Sequence, residues 1–337
     1  MVDPVLVEVT RGGVVESEHR GVLAVSDADG RMVMALGETE RMVFPRSAVK
    51  ALQALPLIET GAADRYGLTQ AELALACSSH SGEPRHVEAA TSMLAKAGRD
   101  ASCLECGTHW PSDERAARAL AAQGREPNAL HNNCSGKHSG FICVACATHV
   151  DPKGYVRPDH AVQSRIKGIF EEVMDVRLTE AARGVDGCSI PTYATPLRAL
   201  ALGFARFGSG ARLSGDRAAA AKRLREAAAA EPFMVAGSHR FDTVAMQALG
   251  DKLFTKTGAE GVYCAALPEQ GLGIAVKCDD GGKRASEAVM ASLIQAFMPL
   301  SDEQRAVLAP YADKPILNWN GIETGKLRVV RQLAACS

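Results

Sequence analysis

Aromatic side chains are scarce, at 5% of the 337 residues with only two tryptophans. An excess of one charge is missing too, because 38 Lys and Arg meet 39 Asp and Glu for a net charge of −1. A chain so balanced has neither a basic field over phosphates nor a stacking platform for bases, so nucleic acid is not an expected partner. Its apolar runs are short and broken by charge, leaving no segment to span a bilayer. Met1-Val2-Asp3-Pro4 places an acid where a secretory leader carries basic residues. The expectation is a soluble, cytoplasmic protein without a membrane partner. Familiar catalytic loops are lacking as well. Gly136-Lys137, Gly282-Lys283 and Gly325-Lys326 each miss the rest of a phosphate loop, and there is no Gly-x-Ser-x-Gly elbow, His-Glu-x-x-His pair or dinucleotide fingerprint.

What is present is a 47% apolar chain with ample material for one large domain or two modest ones. Ten cysteines lie at 77, 103, 106, 134, 143, 146, 188, 264, 278 and 336. A chain of this length needs no disulfide staples, and a reducing compartment keeps thiols free. Of the two Cys-x-x-Cys pairs, Cys143/Cys146 sits in the apolar stretch 139–147 and reads as small core side chains. Cys103/Cys106 lies among Glu105, Gly107 and His109, a polar loop where use and idleness weigh equally.

The first forty residues read as strands, with Asp27-Ala28-Asp29-Gly30 as a hairpin turn. Helical patterning then runs from about 45 to 250. It includes 47–58, a Thr69–Glu72 capping box, 84–97, a helix capped by Ser112, 159–174, 195–207, 217–230 and 240–250. The alanine-rich 217–230 reads as a plain surface helix. Strands return at 261–267 and 273–278, and a helix follows at 285–297. This order predicts an α/β (α+β) fold in which terminal strands form one antiparallel sheet covered by helices, beside a helical lobe. The expected domains are 1–45 with 252–337, and 46–251, with the active site in the cleft between them.

Ser47-Ala48-Val49-Lys50 opens the first helix, and a spacing of three puts hydroxyl and amine on one face. A helix N-terminus disfavours a cation, so Lys50 is placed to lose its proton and act as a base. Arg46 beside it adds like-charge repulsion. Downstream, Lys256-Thr257-Gly258 stands just before a strand; Ser-x-x-Lys followed by Lys-Thr-Gly is the layout of serine β-lactamases. Cys77-Ser78-Ser79-His80-Ser81-Gly82-Glu83 offers further hydroxyls. The densest stretch is Asn132-Asn133-Cys134-Ser135-Gly136-Lys137-His138-Ser139-Gly140, and 184–192 is a second loop of that kind.

Cys-Ser-Gly-Lys-His at 134–138, Asp-Gly-Cys at 186–188, Arg-Ser-Ala-x-Lys at 46–50 and Ser-His-Ser at 79–81 resemble the rhizobial-type L-asparaginases of the asparaginase II family. Arg-Gly-Gly-Val-Val-Glu-Ser at 11–17 and Met-Val-Ala-Gly at 234–237 extend the resemblance over most of the chain. It implies a serine β-lactamase/glutaminase-like fold, a homodimer, and hydrolysis of L-asparagine to L-aspartate and ammonia. The implied catalytic pairs are Ser47 with Lys50 and Ser79 with Lys256. A zinc ion (Zn2+) is implied near the substrate, held by Cys134, Lys137 and Cys188. Spacing alone would not have selected that trio, since lysine must arrive neutral to bind a metal.

An amide hydrolase needs a nucleophile, a base that later protonates ammonia, and donors for the oxyanion. On this reading Ser47 attacks after losing its proton to Lys50, and Ser79 with Lys256 relays the proton; the two serines' roles can be exchanged. The zwitterionic substrate calls for cation, amide and acid partners, for which Arg46, Asn133, His138 and Asp186 are candidates by position. Two other classes compete: a penicillin-recognising or other Ser–Lys amidase, and a non-catalytic zinc or thiol scaffold.

Overall fold

The structure, a computed structural model, describes residues 2–330; Cys336 and the last residues of the expected 252–337 segment lie outside them. The chain divides into two compact units. One comprises residues 1–48, 195–209 and 252–337, and the other residues 49–194 and 210–251.

The first unit is built on an eight-stranded sheet. Its main path runs Asp313–Leu317, Glu323–Val329, Val5–Arg11, Val14–Asp27, Leu272–Cys278, Val262–Leu267 and Phe254–Thr257, every neighbouring pair antiparallel. Met32–Leu36 pairs off this path with Val14–Asp27. The turn between those two strands forms as its residues dictate: Asp27 Oδ1 accepts the amides of Asp29 and Arg31, and Gly30 takes φ +90°. All six residues of Val262–Leu267 are buried, so both faces of this strand are covered. The helices Leu197–Ser209 and Lys283–Phe297 both pack on it and supply that cover. Gly273 permits the close approach of the first, since a Cβ there would lie 2.0 Å from the Ala201 carbonyl oxygen.

The mixed class, the antiparallel sheet and its helical cover are thus as the sequence predicts. Leu197–Ser209, however, belongs to the sheet unit and not to the segment 46–251. Helix patterning reveals an apolar face but not which surface it will cover. Lys256-Thr257-Gly258 does stand just ahead of the strand Val262–Leu267, and Lys256 itself lies inside a further strand, Phe254–Thr257. Asp113, not Ser112, caps the helix Glu114–Ala122, its Oδ1 accepting from Ala116 N at 2.7 Å. The Thr69–Glu72 capping box forms as expected.

The second unit is mainly helical. Helix Gly215–Ala230 is not the surface helix its composition suggests: Ala220, Ala221, Leu224, Ala227 and Ala228 are buried. They face Lys50–Glu59 and Gln70–Ala76, and small side chains let the helices approach. The helix Ser135–Ala147 is buried at every position from 135 to 145. A helix without a solvent face normally carries only apolar residues. This one carries Lys137, His138 and Ser139, and each needs a partner in the interior. Among the described residues, no helix is long and apolar enough to cross a membrane.

Candidate active site

In the helical unit the site is organised by the N-terminus of Ser135–Ala147. Cys134 is its N-cap residue, and one turn later comes Lys137. Gly136 allows the helix end to press on the carboxyl end of Gln70–Ala76, because a Cβ there would stand 2.5 Å from the Leu75 carbonyl oxygen. The preceding loop is fixed by Asn132, whose side-chain amide donates to the carbonyls of Cys106 and Gly107 at 2.9 and 3.1 Å. Its Oδ1 accepts from Cys134 N at 2.9 Å. The hairpin Arg183–Val185 and Pro191–Tyr193 presents the other loop, in which Ser189 N donates to the Asp186 carbonyl oxygen at 2.8 Å. Ser189 takes φ +75°, a strained conformation for a residue with a side chain, and the turn directs Cys188 inward.

The three residues assigned to zinc come together here. Lys137 Nζ donates to Cys188 Sγ at 3.1 Å, and the Cys134 and Cys188 thiols are in hydrogen-bonding contact. Exposure falls to 4% for Cys134, 2% for Lys137 and 3% for Cys188. The Cys188 partner and the positive charges of Lys50 and Lys137 outweigh burial and hold Cys134 well below the usual thiol range. Cys188 moves up, because Cys134 and burial both oppose its charge. The two thiols are thus pushed in opposite directions, Cys134 toward its charged form and Cys188 away from it. Burial opposes a charge on Lys137, but Cys188, Cys134 and Asp186 keep it above its ordinary value. Among the described residues no group of three His, Cys, Asp or Glu could hold a metal. The donor set that fits a thiophilic cation is therefore two sulfurs and an amine whose proton the metal must displace. Asp186 Oδ2 lies 4.0 Å from Cys188 Sγ, at the rim of this group.

Lys50 joins the cluster. Fully buried, it donates from Nζ to the Asn133 carbonyl oxygen at 3.3 Å, and Asn133's side-chain amide lies 3.1 Å from Cys134 Sγ. Burial pushes the Lys50 amine down, toward the neutral form a base requires. His138 is also fully buried, and burial with the charges of Lys137 and Lys50 keeps its ring neutral.

Ser79 lies in the loop after Gln70–Ala76. It is 6% exposed, and its Oγ has no hydrogen-bond partner among the described residues. The loop is clamped on both sides of this serine. Ser79 N donates to the Val235 carbonyl oxygen at 3.0 Å, and Glu83 accepts from Ser81 Oγ and from both Ser238 N and Ser238 Oγ at 2.7–2.8 Å. Gly237, at φ +113°, has no room for a Cβ, which would sit 1.9 Å from Ser81 Oγ. Partial burial works against the Glu83 charge, but these three donors hold its carboxyl below the usual range. A depressed carboxyl stabilises the fold above its unfolded pKa of about 4.3 and loses that effect as pH falls through the folded value. Glu83→Gln is therefore expected to lower the melting temperature at pH 7, with the gap to wild type closing below about pH 4. Thermal unfolding of both proteins across that range checks it, and a gap that persists at low pH contradicts it.

The remaining predicted residues belong to the sheet unit. Arg46, at φ +51°, opens the short 3-10 turn Arg46–Val49 that holds Ser47 and runs directly into Lys50–Glu59. Lys256 is fully buried and donates to the Thr257 carbonyl oxygen at 2.7 Å. Gly258 packs on Pro45, whose carbonyl oxygen would lie 2.9 Å from a Cβ at 258. This contact sets the Lys-Thr-Gly segment beside the Pro45-Arg46-Ser47 segment, two hundred residues away in sequence.

Asn132, Glu83 and Tyr155 escaped the sequence reading as parts of the site. The paired asparagines and the Ser-Gly-Glu sequence were visible, but the bonds that matter reach remote segments, from Asn132 to the Cys106 and Gly107 carbonyls and from Ser238 to Glu83. No pattern marks Tyr155.

The L-asparaginase II family matches this chain over residues 7–329. No curated protein sequence matches it. Among solved structures, Mglu is 15% identical, with a TM-score of 0.36 over 85% of this chain and 69% of that one. Mglu in its glutamate form is 16% identical, with a TM-score of 0.38 over 82% and 60%. A beta-lactamase from Mycobacterium bovis is 14% identical, with a TM-score of 0.38 over 86% and 94%. The chain thus spans about two thirds of Mglu's length, and TM-scores below 0.5 add nothing to the case made by the site. The family match supports amide hydrolysis with Ser–Lys chemistry, and it covers every candidate site residue: the chain belongs to the L-asparaginase II family.

Proposed function

We propose that this protein hydrolyses L-asparagine to L-aspartate and ammonia through a serine nucleophile activated by lysine, as a cytoplasmic homodimer. The observation that carries this reading is the buried cluster of Lys50, Cys134, Lys137 and Cys188, assembled by motifs that resemble the same family. Burying two lysines and two thiols is costly, and a purely structural role does not need four such groups together. Lys50 takes the proton of Ser47, whose Oγ attacks the side-chain amide carbon. The amine departs as ammonia with a proton returned by lysine, and water releases the acyl group. Ser79 and Lys256 serve as the second pair, and the unpartnered Ser79 hydroxyl suits either proton relay or attack. Asn133, Asp186, His138 and Arg46 are the proposed contacts of the amino acid. Cys134, Lys137 and Cys188 would hold zinc, which supplies a fixed positive centre shaping the substrate pocket.

Ammonia release from L-asparagine, L-glutamine and a β-lactam substrate's hydrolysis, measured side by side, tests the proposal. L-asparagine is expected to exceed the other two in kcat/KM by at least about tenfold, a difference set by a single well-placed polar contact. Turnover of the β-lactam with no ammonia from either amide would overturn it.

A further inference from the structure

Tyr155 is fully buried and pinned at its backbone, its carbonyl oxygen accepting from Gln163 Nε2 at 2.9 Å. Its hydroxyl touches two groups: Glu105 N at 2.8 Å and His138 Nδ1 at 2.6 Å. The Glu105 amide can only donate, so it uses a lone pair of the phenol oxygen. The single phenolic proton then has one acceptor left within reach, His138 Nδ1. A neutral imidazole that accepts at Nδ1 carries its proton at Nε2. That Nε2–H is buried and has no partner among the described residues. An orphan donor in the interior is costly to keep, and such a group points to a ligand that completes it. The ring lies near enough to Lys137 and Lys50 for their charges to act on it, and Cys188 acts in the same way on the Tyr155 hydroxyl, so the pair borders the Cys134–Lys137–Cys188 cluster.

We propose that Tyr155 is a positioning residue that fixes His138 as an Nε2–H donor, and that this donor takes an oxygen atom of the bound amino-acid substrate. The inference rests on the asparaginase reading and adds to it the tautomer, the residue that imposes it and the kind of atom recognised. An oxygen acceptor is demanded because a second donor, such as an ammonium group, would face the Nε2 proton unfavourably.

The test has two arms. Nitrogen-15 spectra of histidine-labelled, substrate-free protein should show His138 protonated at Nε2 and hydrogen-bonded at Nδ1, and L-aspartate should shift the Nε2–H signal. A proton found on Nδ1, or an Nε2–H signal unmoved by saturating L-aspartate, overturns the proposal. In the second arm Tyr155→Phe should raise KM for L-asparagine about tenfold with kcat within about threefold, the pattern of a lost ground-state hydrogen bond. His138→Gln supplies an amide donor whose identity does not depend on the phenol. Adding Tyr155→Phe to His138→Gln should therefore change KM by less than about twofold. A merely structural Tyr155 would weaken both backgrounds alike, and that result also overturns the proposal. Should Tyr155→Phe fail to fold, the wild-type spectrum still decides. Failure of the asparaginase reading shows separately, as wild-type protein that releases no ammonia.

Discussion

Lys50→Met is expected to lower kcat for L-asparagine by at least about a thousandfold, the usual cost of removing a base from a nucleophile that depends on it. The fold should survive, because methionine fills the space of the lysine stem and removes a buried amine. Lys50 is fully enclosed; it donates to the Asn133 carbonyl oxygen at the long distance of 3.3 Å and is hydrogen-bonded to the Cys134 sulfur. Matched melts separate any loss of stability from that contact from the loss of the base. Single-turnover ammonia release with matched thermal melts makes the measurement, and a variant keeping a tenth of wild-type kcat would remove Lys50 from the mechanism. Ser47→Ala and Ser79→Ala in the same assay assign the nucleophile, since only its loss abolishes acyl-enzyme formation. Wild-type turnover in both would discard Ser–Lys catalysis altogether.

The second large effect concerns the metal. Protein purified without added zinc is expected to carry about one zinc per chain, and Cys134→Ala or Cys188→Ser to carry less than about a tenth of that. Removing one sulfur from a two-sulfur, one-nitrogen set leaves too few donors to compete with water. Lys137→Met should lose zinc as well, although methionine matches its size, because the thioether cannot replace the amine that lies 3.1 Å from Cys188 Sγ. Elemental analysis gives the stoichiometry. A chelator should lower the melting temperature of wild type and leave the variants unmoved. Full occupancy in Cys188→Ser would rule out this trio as the site.

The cysteine count illustrates what was legible and what was not. The two Cys-x-x-Cys pairs stand out by spacing, yet Cys143 is a core thiol whose Sγ meets the Met93 carbonyl oxygen, and Cys103 and Cys146 are only partly covered. Cys134 and Cys188 have no notable spacing and become neighbours only because a helix N-terminus and a hairpin turn meet. Spacing reports partners within one element; it is silent about partners from two. Capping and turn chemistry is local, which is why Thr69–Glu72 and Asp27–Gly30 formed where the residues placed them. The helix Asp302–Ala312 and the strand Asp313–Leu317 were not foreseen, since Pro310 and Pro315 interrupt the patterns that would announce them. The sequence alone splits the helix Ser135–Ala147, with 132–140 reading as a dense polar loop and 139–147 as core, because its first turn holds Lys137, His138 and Ser139, residues that usually face water. Their burial is what makes the stretch a site, so the feature that obscured the helix is the one that matters.

The sheet unit is threaded from three separate stretches, and Val7 pairs with Val329. During synthesis the strand Val5–Arg11 therefore has only its hairpin neighbour until the last part of the chain emerges. Pairings of such sequence separation form late and slowly, because the loop between them must be closed first. Both thiols and both cluster lysines lie in the segment 49–194, and the unit that contains them is complete in sequence by residue 251. If the trio binds zinc as proposed, all three ligands are made before the strand bearing Lys256, so metal capture precedes completion of the proposed catalytic set.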